Sequence, residues 1–200
     1  VGIGEFFFSA ESKNIIESKS LKLYLNSLNN EIFLGVSDVQ QRIRDDLSKI
    51  SHSDVKVLIF SAGESESGEL IKRPGSSIDK ESISIKGDGP DESLLKTCGD
   101  LVFDEELYSD LFRSNCPVTS QPDWASFQVK YSGPKIDPAS LLDYLCSYRN
   151  HQGYHEECCE RIFHDISLTC RPKDLNLSLN FLRRGGLDIN IYRSSQTVTS

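Results

Sequence analysis

Cys116, in the run Ser114-Asn115-Cys116-Pro117-Val118-Thr119, and Asp123, in Gln121-Pro122-Asp123-Trp124, put a soft nucleophile and a carboxylic acid on one short segment. A thiolate there could add to an electrophilic carbon while the acid delivers a proton to the atom that gains charge. That role needs Asp123 to be neutral at the moment of transfer, a state favoured by the partial burial expected beside Trp124. A lone Cys is more often a small buried hydrophobe. The pair therefore takes its meaning from the polar groups elsewhere in the chain.

Three such groups stand out. Glu17-Ser18-Lys19-Ser20-Leu21-Lys22-Leu23-Tyr24 reads as a helix start, with Ser18 or Ser20 as the cap and free N–H groups that attract anions. Lys19 and Lys22, three apart, share a face that suits a phosphate. His151-Gln152-Gly153-Tyr154-His155-Glu156 joins two helices, and its His155-Glu156 pair offers an imidazole and a carboxylate to a small polar ligand. Arg183-Arg184-Gly185-Gly186 closes a strand, where two Arg could clamp phosphates and the glycines permit a close backbone approach. No metal site is expected, because His151, His155, Cys158 and Cys159 match no zinc spacing. No Gly-x-Gly-x-x-Gly or Walker pattern supports a Rossmann or P-loop cradle.

The elements that must position these groups form two copies of one unit. Tyr24-Leu25-Asn26-Ser27 returns as Tyr144-Leu145-Cys146-Ser147, and Arg42-Ile43 with Asp46-Leu47 returns as Arg161-Ile162 with Asp165-Ile166. In the first copy a strand over Gly4 to Ala10 leads to a helix over Ser20 to Ser27. A second helix spans Val39 to Ile50, with Val39, Ile43, Leu47 and Ile50 on one face, before a strand over Val55 to Phe60. In the second copy a strand over Ser126 to Tyr131 precedes a helix opened by Asp137-Pro138 and running to Arg149. Glu156 to Thr169 forms the next helix, and Leu175 to Leu182 the last strand. Each copy is thus an antiparallel pair backed by two helices, an α+β layer. Residues 62–100 read as a connecting excursion with short strands near Ile71 and over Ile83 to Ile85.

The 200 residues carry 22 basic and 30 acidic groups, a formal charge of −8 that argues against a nucleic-acid or membrane-surface partner. The six Cys lack the spacing of a disulfide framework and read as reduced thiols in the cytoplasm. No apolar run reaches membrane-spanning length, and no charged-then-apolar leader opens the chain. The chain has no Met and opens inside an apparent strand, so a fragment of a longer protein is expected.

Taken together, these motifs resemble the NADPH-dependent 7-cyano-7-deazaguanine reductases, the nitrile reductases of queuosine biosynthesis. The matching text is Glu17 to Tyr24, Ser114 to Thr119, Gln121 to Trp124, Tyr148 to His151 through His155-Glu156, Glu160 to Phe163, and Arg183 to Asn190. The lysine-bearing helix lies before the Cys, as in the family's long, two-module form, although the further N-terminal stretch and the longer tail of that form are missing. The resemblance implies tandem tunnelling-fold modules, here residues 1–97 and 98–200, and a homodimer. It implies reduction of a nitrile to a primary amine by two NADPH, through a covalent thioimide on Cys116 protonated by Asp123, with His155 assisting. It further implies that Glu17, Ser18, His155 and Glu156 hold the deazaguanine, and that Lys19, Ser20, Lys22, Arg183, Arg184 and Gly185 meet the cofactor. Two other readings stay open: a zinc hydrolase of the GTP cyclohydrolase I type, and a non-catalytic purine-binding fragment.

Overall fold

The computed structural model describes residues 2–61, 73–83, 89–183 and 185–196. The chain divides into two compact units, Val1–Ile71 with Gly185–Leu187, and Lys72–Arg184 with Asp188–Ser200.

The first unit pairs β1 (Gly2–Phe7) with β2 (Lys56–Ser61) in an antiparallel ladder. Between them run α1 (Ser18–Ser27), a 3₁₀ turn over Leu28–Asn30, and α2 (Val36–Ser51). Leu21 and Leu28 meet Ile43, Leu47, Val55 and Val57 in a small core, because a heptad-like spacing keeps Ile43 and Leu47 on one side of α2. Ile50, expected on that face, is 54% exposed; Val39 is only partly buried against the core. Helix α1 begins two residues earlier than its periodicity suggests, and its cap is Glu17 rather than Ser18 or Ser20. The Glu17 carboxylate accepts from the Lys19 and Ser20 N–H groups, each at 2.8 Å, and from the Ser20 hydroxyl at 2.9 Å.

In the second unit, β4 (Thr97–Asn115), β5 (Pro122–Ile136), β6 (Asp174–Phe181) and β7 (Asn190–Ser194) form an antiparallel meander, with the short β3 (Ser76–Ser77) parallel to β4 at its edge. Two helices, α3 (Pro138–Cys146) and α4 (His155–Cys170), connect β5 to β6. Leu141, Leu142, Leu145, Ile162 and Ile166 bury against Phe127, Val129, Leu177 and Leu179 of the sheet. The α+β layer expected for each copy is what both units show. Helix α3 stops at Cys146, and residues to Asn150 form a 3₁₀ turn instead of further α-helix.

Three strands, the two-residue β3 among them, escape the sequence pattern. β4 begins inside the expected connector and runs 19 residues. Register shifts between Thr97 and Leu101, Val102 and Glu105, and Ser109 and Phe112 break its inside–outside alternation three times. β7 is only five residues long. Ile83 is not in a strand, while Ile71 and Ile85 lie outside the described residues.

Candidate active site

Cys116 opens the loop between β4 and β5. Its N–H donates to the Gln121 carbonyl, and its own carbonyl accepts from the Ser120 N–H, both at 2.8 Å. Ser120 holds φ at 56°, the left-handed conformation that closes so tight a turn. Burial alone would raise the pKa of the Cys116 thiol. Hydrogen bonds to the sulfur from the Thr119 hydroxyl and the Thr119 and Val118 N–H groups outweigh it, and the net direction is down, against an opposing push from the Asp123 charge. Four other thiols go the other way through burial: Cys146 is raised, Cys170 reaches about 11, and Cys158 and Cys159 reach about 12. The turn therefore singles out Cys116 as the thiol poised to ionise.

Asp123 is the second residue of β5 and is 5% exposed. Successive strand residues point to opposite faces, so Asp123 shares the buried face with Ala125 and Phe127. Trp124, expected to shelter it, points the other way, where the Arg113 guanidinium lies 5.7 Å from its ring centroid. What borders Asp123 instead is Ser114, its cross-strand partner, and His155, whose Nε2 lies 3.4 Å from Oδ2. The His155 imidazole rests on Phe181, with ring centroids 4.0 Å apart.

His155 and Glu156 open the first turn of α4, and the Tyr154 N–H donates back to Glu157 at 3.4 Å. Gly153 precedes them because the chain passes close to His151 here: a Cβ would come within 2.7 Å of the His151 Nε2. Burial lowers the pKa of His151, against the pull of Glu157, whose Oε1 lies 3.7 Å from Nε2. The structure thus brings Cys116, Asp123 and His155 to one end of the sheet, with Glu156 on the adjoining helix turn. Among the described residues no group of three or more His, Cys, Asp or Glu side chains could hold a metal ion.

The remaining expected residues are each described within their own unit. Lys19 and Lys22 are exposed on α1, and Ser18 and Ser20 lie in its first turn. Gly185 groups with the first unit, at φ 58°, and a Cβ there would meet the Lys22 Nζ at 2.5 Å. The left-handed φ favours glycine there, whereas the flexible end of Lys22 could swing aside. Arg183, expected as an open phosphate clamp, is clasped by Asp188 through three hydrogen bonds of 2.6 to 3.2 Å. Arg184 lies outside the described residues. Sequence reasoning missed Thr119 and Phe181. A hydroxyl three residues after the Cys in a Pro-containing turn could have flagged the first, whereas Phe181 reads only as a core residue.

With this geometry in view, the class is an α+β protein of antiparallel strands backed by paired helices, with a thiol poised to ionise at one end of its larger sheet. Residues 122–200 match the family model described as QueF-like protein, and residues 1–59 match that of the N-terminal part of the nitrile reductase, 7-cyano-7-deazaguanine reductase. Over 197 residues the chain is 49% identical to the NADPH-dependent 7-cyano-7-deazaguanine reductase of Coxiella burnetii strain Dugway 5J108-111, covering 98% of this chain and 70% of that protein. The relative of the same name from strain CbuK_Q154 gives the same figures. The chain belongs to the 7-cyano-7-deazaguanine reductase family. A crystal structure of the archaeosine synthase QueF-Like in the apo form is also similar, at 20% identity and a TM-score of 0.44, over 49% of this chain and 95% of that one.

Proposed function

We propose that this chain reduces the nitrile of 7-cyano-7-deazaguanine to the primary amine at the expense of NADPH, a step in queuosine biosynthesis. The observation that carries the reading is the Cys116 turn, whose hydrogen bonds favour the thiolate beside a buried acid. Family membership supplies the substrate and the reductant.

In this scheme the Cys116 thiolate adds to the nitrile carbon, forming a C–S bond as the triple bond becomes a C=N. Asp123 transfers a proton to the nitrogen, giving a covalent thioimide. Bound NADPH supplies hydride, and two molecules meet the four-electron demand. After the first reduction the C–S bond breaks and the sulfur leaves as thiolate, so the carbon becomes an imine. His155, against Asp123, is placed to move a proton in the second reduction. Glu156 accepts the paired N–H groups of the guanine-type edge, and the same chemistry is assigned to Glu17. As the α1 cap the Glu17 carboxylate already accepts three hydrogen bonds, two of them on Oε2, so taking the paired N–H groups of the base there requires the Ser20 hydroxyl to let go. Ser18 is assigned to the base beside Glu17.

The exposed ammonium groups of Lys19 and Lys22, with the glycine at 185 leaving room beside Lys22, fit a phosphate-bearing cofactor. These residues with Ser20 would hold it; Arg183 would join only by releasing Asp188. We further propose a cytoplasmic homodimer of two-module chains. No described helix is long and apolar enough to cross a membrane.

Mass spectrometry of the chain mixed with the nitrile in the absence of NADPH tests the reading. An adduct at the full mass of the substrate, absent in Cys116→Ala, is expected. A Cys116→Ala chain that still reduced the nitrile at the normal rate would refute the covalent scheme.

A further inference from the structure

The loop that carries Cys116 is tied at both of its ends to the connector that precedes His155 and Glu156. On the β4 side, the Asn115 N–H donates to the His151 carbonyl at 2.8 Å, and the Asn115 carbonyl accepts from the Gly153 N–H at 3.2 Å. These two bonds form a parallel bridge between Asn115 and Gln152. The Asn115 side chain adds a third bond, its Nδ2 donating to the Arg149 carbonyl at 3.1 Å, where Arg113 also donates at 3.1 Å. On the β5 side, the Gln152 amide donates to the Ser120 hydroxyl at 3.0 Å. The nucleophile therefore sits inside a bracket, with Asn115 before it and Ser120 after it, and both grip residues 149–153.

From this we infer that Asn115, Gln152 and Ser120 are positioning residues, forming a two-point clamp that sets the Cys116 sulfur against the groups on the first turn of α4. None of the three needs to touch the nitrile. The physical reason for a clamp is the loop itself. Cys116 stands on a turn free of strand pairing on its outer side, whereas His155 and Glu156 stand on a helix, and covalent addition requires sulfur and carbon to meet within a few tenths of an ångström. A backbone bridge fixes one end of the turn. The turn's own hydrogen bonds fix its shape; the Gln152–Ser120 bond is what holds its far end to the connector.

This inference rests on the reading of Cys116 as the nucleophile, and the test separates the two. Gln152 is exposed, so Gln152→Ala and Ser120→Ala leave the core intact. In single-turnover mixing with the nitrile and no NADPH, each should slow adduct formation about fivefold, the worth of one ordinary hydrogen bond. The double variant should also be about fivefold slow rather than twenty-five-fold, because the two residues make one contact. Nitrile binding, measured in a Cys116→Ala background, should be unchanged by Gln152→Ala. Asn115→Ala should slow adduct formation more, and should speed amide exchange over residues 115–121 and 151–153 together. Adduct rates within twofold of the parent for Gln152→Ala, or losses that multiply in the double variant, would overturn the clamp. If the parent chain forms no adduct, the assigned reaction fails instead; the clamp is then judged by exchange, and unchanged protection of both segments in Asn115→Ala overturns it.

Discussion

Tyr144 donates its phenolic proton to Asp165 at 2.7 Å, joining α3 to α4 across the core of the second unit. With that proton committed, the 2.9 Å contact between the Tyr144 and Tyr148 oxygens leaves Tyr148 as donor. The first unit repeats the arrangement: Tyr24 donates to Asp46 at 2.8 Å, joining α1 to α2. In each unit an Arg four residues before the Asp pairs with it, Arg42 at 2.7 Å and Arg161 at 3.6 Å. Ser27 and Ser147 bond back to the carbonyls of their tyrosines, both at 2.6 Å. The residues that betray the duplication are thus the polar groups that lock each helix pair.

Removing that lock should cost unequally. Each Asp keeps its Arg, but Asp165 is buried whereas the Asp46 side chain is about a third exposed. Tyr144→Phe strips a donor from a buried carboxylate and should destabilise the second unit by about 2–3 kcal/mol, while Tyr24→Phe should cost the first about 1 kcal/mol. Urea unfolding of the two variants measures both.

Alkylation of Cys116 by iodoacetamide should rise with pH through a midpoint below the ordinary thiol value. A lowered pKa means that the thiolate is already populated on the acid side of that value and is lost only as pH falls through the shifted midpoint. Thr119→Val deletes one donor to the sulfur and should move the midpoint up. An unmoved midpoint would mean that the hydroxyl does not hold the thiolate.

Asp123→Asn should give effects of opposite sign on two reactions of the same sulfur. In the free protein the ionised carboxylate raises the Cys116 pKa, so its loss should speed alkylation; with the nitrile bound, the proton released by the thiol passes to Asp123 and makes it the neutral donor. Adduct formation with the nitrile should slow by roughly 10²- to 10⁴-fold, because the proton donor is gone. Parallel rate measurements with the two electrophiles show whether Asp123 acts on the nitrogen or merely on the thiol.

Gly133 sits at φ 144°, and a Cβ there would lie 2.9 Å from the Pro172 Cα and 3.1 Å from the Lys173 nitrogen, backbone that cannot swing aside. The Lys173 N–H donates to Ser132 at 2.7 Å, so a clash would also loosen the entry to β6. Gly133→Ala should destabilise by about 2 kcal/mol or more, read as a fall in the unfolding midpoint.

The helices were legible because apolar spacing and polar repeats are local: Ile43 with Leu47 marked one face of α2, and Asp137-Pro138 marked the start of α3. β4 was not, since three register shifts scramble the alternation that announces a strand. The capping role of Glu17 was hidden for a different reason. Serines are the stronger general expectation at that position, and only backbone geometry shows which side chain reaches the free N–H groups.

Residue types and their spacing, by themselves, established the duplicated α+β units, the pairing of a thiol with an acid, and the resemblance that names the chemistry, because these depend on covalent neighbours and short periodicities. Folding alone decided that Asp123 turns inward away from Trp124 and beside His155, that Asp188 occupies Arg183, and that Asn115 and Ser120 hold the cysteine turn to residues 149–153. The Arg183–Asp188 pair joins residues only five apart; the other relations join groups roughly thirty residues apart or set which face a strand presents, and both follow from register and burial summed over the whole sheet.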